Sequence, residues 1–67
     1  MADIEKLNKI MGERRYKLPA LAFDMGVKYN YLYQRFKGNI DFNASDIKKI
    51  KRILNLTRQQ VFEIFLD

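Results

Sequence analysis

Leu18-Pro-Ala-Leu-Ala-Phe-Asp-Met-Gly26-Val-Lys-Tyr-Asn-Tyr-Leu-Tyr-Gln-Arg-Phe-Lys-Gly38 carries two apolar stripes separated by a glycine. Leu18, Leu21, Ala22 and Met25 recur at i, i+3, i+4 and i+7, the spacing of one helix face. Val27, Tyr31, Leu32 and Phe36 supply the apolar side of a second helix. Gly26 falls just past the first helix, where a left-handed residue turns the chain without a Cβ penalty, and Gly38 ends the second in the same way. Pro19 suits the first turn, where its missing N–H costs little. Two short helices across a tight glycine turn, over about residues 18–37, have the layout of a helix-turn-helix. In that layout the first helix braces the second, which can lie in a DNA major groove.

Towards the N-terminus, Asp3 is placed to cap a helix whose buried stripe is Ile4, Leu7, Ile10 and Met11. It is expected to run to about Arg15, with Gly12 a weak spot and Glu13, Arg14 and Arg15 facing water or a phosphate backbone. Lys17 stands at the N-cap of the second helix and offers no acceptor. The third helix is expected from about Lys28 to Lys37; its Tyr and Asn residues are indifferent helix formers, so packing or function must account for them. Beyond it, Gly38 to Phe42 reads as a loop, with Ile40 and Phe42 folding back onto the core. Asn43 and Asp46 form a capping box that opens a fourth helix. Its apolar face is Ile47, Ile50, Ile53 and Leu54, and Lys48, Lys49, Lys51 and Arg52 cover the solvated side. Thr57 and Gln60 repeat the capping box for a fifth helix, apolar on more than one side through Val61, Phe62, Ile64, Phe65 and Leu66. With no linker, repeat or low-complexity stretch, residues 1–67 are expected to form one all-α, five-helix domain. The start at Met1 and the apolar last helix ending at Asp67 lean towards a complete small protein.

Composition narrows the function. A chain of 67 residues, 48% apolar, can build one helical core but buries only about 60% of its unfolded surface, so a dimer contact would be a natural supplement. Without Cys or His it lacks disulfides, the usual zinc ligands, the commonest general base and the thiol nucleophile. No grouping of Asp, Glu, Lys or Tyr replaces them, so neither an enzyme nor a cofactor is expected. No apolar run is long enough for a membrane span and the N-terminus is not a signal peptide, which points to the cytoplasm. Thirteen Lys and Arg against eight Asp and Glu give a net charge of +5, which favours an anionic partner such as nucleic acid.

Several of these motifs occur together in one family. Leu21-Ala22-x-x-x-Gly26-Val27, then Leu32 and Gly38, then Asp46-Ile47-Lys-Lys-Ile50 and Leu54-Asn-Leu56-Thr57 resemble the lambda-repressor-like, Cro-type helix-turn-helix domains of phage repressors and related bacterial regulators. The resemblance covers nearly the whole chain. It implies a compact five-helix DNA-binding domain, acting as a dimer on double-stranded operator DNA in a bacterial host. Carried over by position, it implies that Lys28, Tyr29, Asn30, Tyr33 and Gln34 read bases. Asn and Gln amides can pair bidentately with adenine, and Asn30 and Gln34, four apart, share a helix face. Lys17, Arg35, Lys37 and Asn39 then stand where the family holds phosphates, which set register rather than sequence choice. Phe62, Phe65 and Leu66 become candidate dimer contacts.

The chain also departs from the family pattern. Leu18 replaces a Gln or Ser that touches phosphate, Lys28 replaces a capping Ser or Thr, and Phe23 replaces a polar surface residue. Leu18, Pro19 and Phe23 leave the second helix unusually apolar, and an exposed Phe23 would help form a protein-binding patch. The alternative is therefore an antirepressor, which turns its helix-turn-helix surface against a partner repressor.

Overall fold

In the computed structural model, which describes residues 2–66, periodicity becomes five helices: α1 (Ile4–Glu13), α2 (Leu18–Met25), α3 (Tyr29–Phe36), α4 (Ala44–Ile53) and α5 (Arg58–Phe65). The described residues contain no strand. Met1 and Asp67, on which the expectation of a complete chain rests, lie outside them. α2 packs between α3 and α4, and α5 between α1 and α4. Each helix turns its stripe to the same centre. Leu7, Ile10, Met11, Leu21, Ala22, Met25, Leu32, Ile50, Leu54, Leu56 and Ile64 are all buried there. Burying a Leu or Ile side chain fully contributes roughly 1.5–3 kcal/mol, so this shared cluster, not helix propensity, holds such short helices.

Four of the five helices stop by one device. A left-handed residue stands at the cap of α2 and one past the cap of α1, α3 and α4, and the next N–H reaches back five residues. Tyr16 donates to the Met11 carbonyl, Val27 to Ala22, Asn39 to Gln34 and Leu56 to Lys51, at 2.8–3.0 Å. This is the Schellman turn. The expected Gly26 and Gly38 supply two of the left-handed positions, at φ +75° and +83°. Arg15 and Asn55 supply the others, at φ +56° and +53°. Arg15 thus lies in the turn after α1, which ends two residues earlier than expected, at Glu13.

Both capping boxes form, and Asp3 caps α1 by accepting from the Lys6 N–H at 3.0 Å. In the loop, the expected burial of Ile40 and Phe42 divides. Phe42 packs edge-on between Phe36 and Phe65, ring centroids 5.6 and 5.2 Å away. Ile40 does not fold back: it is 48% exposed, while its neighbour fills the space below α3. Arg14 is exposed as expected, and its Nε also donates to the Leu54 carbonyl at 2.6 Å, after the last turn of α4.

Candidate functional site

α3 has two chemically distinct sides. The side towards α4 is pinned by Asp46, which is buried at the start of α4. Its Oδ1 accepts from the Tyr31 hydroxyl at 2.8 Å, and its Oδ2 accepts from Arg35 Nε at 2.9 Å and from the Asn43 N–H at 3.0 Å. Arg35 also donates to the Tyr31 carbonyl at 3.0 Å and lays its guanidinium 3.6 Å over the Tyr31 ring. The capping box is legible from the spacing of Asn43 and Asp46. That Asp46 also binds two side chains of α3 is not, because those partners are 11 and 15 residues away.

Arg35 therefore corrects one expectation. Its side chain is 11% exposed and its charge is matched by Asp46, so it holds α3 onto α4 and does not present itself to a phosphate. Breaking a buried pair of this kind by removing one partner costs about 3–5 kcal/mol, because the other charge is left uncompensated.

The opposite side of α3 is spent on nothing in the core. Tyr29 and Tyr33 are exposed and stack at 5.8 Å, and the Lys37 ammonium lies 5.8 Å from the Tyr33 ring. These three residues, four apart, form one strip. A second strip runs beside it. Gln34 Nε2 donates to Asn30 Oδ1 at 3.2 Å, and Asn39 Nδ2 donates to Gln34 Oε1 at 2.7 Å. Asn39 was expected on a phosphate; its amide is turned instead along the helix to Gln34. Lys28 is exposed at the N-cap of α3 and Lys17 at the N-cap of α2, neither helix having a side-chain cap. Lys17, Lys28 and Lys37 are all exposed, and Lys37 closes the tyrosine strip.

The apolar contact candidates separate as well. Phe23 is 83% exposed on the outer side of α2, and Phe62 and Leu66 are 53% and 61% exposed on and just after α5. Leu18 is half-buried against the core, and Phe65 is half-buried against Phe42. Both pack part of their surface on the core, whereas Phe23, Phe62 and Leu66 keep most of theirs in water. Acidic groups gather elsewhere: Asp3, Glu5, Glu13 and Glu63, four of the eight acids of the chain, line an open groove between α1 and α5 with Lys6 and Lys9.

Among the described residues no cluster of His, Cys, Asp or Glu could hold a metal ion, and no helix is long and apolar enough to cross a membrane. Set against protein-family models, curated proteins and solved structures, the chain matches none.

Proposed function

We propose that this chain is a sequence-specific DNA-binding transcriptional regulator with a lambda-repressor-like helix-turn-helix, which reads operator DNA with α3 in the major groove. The observation that carries this reading is the division of α3: one side locked to α4, the other offering amides, tyrosines and lysines that the fold does not use. Asn30 and Gln34 read base edges, Tyr29 and Tyr33 contact thymine methyls or sugars, and Lys17 and Lys37 face phosphates; Lys28, expected among the base readers, joins the phosphate contacts because it stands at the N-cap of α3. The uncapped first turns of α2 and α3 leave N–H groups and positive dipole ends for the same anions. Phe62 and Leu66 serve a homodimer that sets the spacing of two half-sites. Such a regulator works in the cytoplasm of a bacterial cell.

One observation favours a second reading. Phe23 is a large apolar side chain left almost wholly in water on the brace helix, where a partner protein, such as a repressor bound by an antirepressor, could cover it.

The deciding experiment is a titration of the labelled amide spectrum with a random-sequence duplex at low and moderate salt. Shifts confined to residues 28–39 and the start of α2 at Lys17, weakening steeply with salt, are the expected result. Lys37→Ala should lower affinity across all sequences and reduce the salt slope by about one. No shift at low salt, despite a net charge of +5, would overturn DNA binding and leave the antirepressor reading.

A further inference from the structure

Gln34 is tied at both ends, and the two ties have opposite sense. A primary amide has two N–H donors and an oxygen with two lone pairs. Asn30 takes one donor of Gln34 and Asn39 fills one lone pair. One donor and one acceptor remain free. The second tie is anchored twice, because the backbone N–H of Asn39 also bonds the Gln34 carbonyl at 3.0 Å, in the turn made by the left-handed Gly38. The Asn39 side chain is therefore delivered to Gln34 by the helix terminus itself.

We infer that Asn39 is a positioning residue that fixes the Gln34 amide in the orientation that selects adenine over guanine. This rests on the DNA reading proposed above. Adenine offers the major groove an acceptor, N7, and a donor, its N6 amino group; guanine offers two acceptors, N7 and O6. The free donor and free acceptor of Gln34 meet adenine without breaking either tie. Guanine needs both N–H groups of Gln34, one of which Asn30 already holds, and it sets O6 against Oε1. An untied glutamine could rotate its amide to suit other edges. With Asn39 donating to Oε1, that freedom is reduced before binding, and less side-chain entropy is lost on the DNA.

The test begins with the free protein. Asn39→Asp keeps the size of the side chain and removes its donor, and it should move the side-chain amide resonances of Gln34 and Asn30. Unmoved resonances would overturn the tie without any appeal to DNA. Duplexes are then selected from a randomised pool with the wild-type chain, and Gln34→Ala identifies the base pair that Gln34 reads. That position should be adenine. Replacing it with guanine should weaken wild-type binding at least about ten-fold, within the range for a good bidentate pair. Asn39→Asp and Asn39→Ala should both reduce this adenine-to-guanine ratio several-fold, by a larger factor than either lowers affinity for random duplex. A ratio that survives both substitutions, or a guanine at that position, overturns the inference while DNA reading stands. A pool from which nothing is enriched overturns both.

Discussion

Three helices begin on a side-chain acceptor and two do not. Asp3, Asn43 and Thr57 take the N–H of Lys6, Asp46 and Gln60 at 3.0, 2.8 and 3.0 Å. α2 and α3 begin instead on Lys17 and Lys28, which bring a cation to the positive end of the helix dipole. The uncapped pair is the pair joined at Gly26, and α3 presents the polar face that the core leaves unused. Side-chain capping is thus confined to α1, α4 and α5, and α3 is tied to the capped start of α4 through Asp46. A local rule broken at two consecutive helices, next to side chains without a structural task, is the pattern of a binding surface carried by a scaffold.

The largest test of that division removes the link between its halves. Asp46→Ala takes away the capping-box acceptor of the Asn43 N–H, the Tyr31 partner and the Arg35 counter-charge at once. It should cost about 3–5 kcal/mol. A domain of 67 residues has a total stability on the order of 3–10 kcal/mol, so this variant should lie close to unfolded in urea titration at 25 °C. Thr57→Ala, which removes a cap alone, should cost about 1 kcal/mol. Equal losses in the two variants would mean that Asp46 acts only as a cap and that α3 is not held by it.

A second substitution crosses the division from the other side. Lys28→Ser gives α3 the cap it lacks and should add up to about 1 kcal/mol of stability, seen as a rise in the urea midpoint. If Lys28 faces phosphate, the same variant should bind random duplex more weakly and with a shallower salt dependence. A gain in stability with unchanged binding would leave the missing cap without a functional reason.

How far the sequence could be read follows from the range of its signals. Apolar spacing, Gly26, Gly38 and the pairs Asn43–Asp46 and Thr57–Gln60 act over three to five residues, and each produced the element expected of it. Partners set by the packing of one helix on another were not legible. Arg35 and Lys37 look alike in sequence, yet Arg35 meets Asp46 under the helix and Lys37 stays at the surface. Phe62 and Phe65 are three apart on one apolar helix, and only the position of Phe42 decides that Phe65 is covered. In the candidate site, the Tyr29–Tyr33 and Asn30–Gln34 pairs were readable from their spacing of four, whereas the turn of Asn39 back to Gln34 depends on the geometry after Gly38.

A smaller effect concerns the turns that all but the last helix share. Gly26 and Gly38 adopt the left-handed backbone freely, while Arg15 adopts the same conformation with a Cβ. Arg15→Gly relieves that strain but adds freedom to the unfolded chain, for a net gain of about 0.5 kcal/mol. For a domain of this size that is a rise of roughly 2–4 °C in melting temperature. A fall would show that the Arg15 side chain contributes more than its backbone costs.

The smallest effect lies on the capped side, where Lys6 of α1 and Glu63 of α5 form an ion pair at 2.5 Å on the surface. A hydrogen bond from Gln59 first, and from Lys6 second, holds the Glu63 carboxyl below its ordinary value of 4.5. The hydrogen bond to Glu63 holds Lys6 above its ordinary 10.5. For Glu63, the folded value lies below the unfolded one, so its contribution is complete above 4.5 and is lost as pH falls through the lower, folded value. For Lys6 the sense is reversed: the contribution is complete below 10.5 and is lost as pH rises through the raised value. Wild type should therefore exceed Glu63→Gln in stability by a small margin between these limits, and the margin should close in acid. Because both groups are exposed, added salt should narrow it at neutral pH as well. Denaturation midpoints of the two proteins across pH, at low and high salt, measure it directly. A margin that persists in acid and in salt would assign the stabilising role of Glu63 to its packing beside Gln59 rather than to its charge.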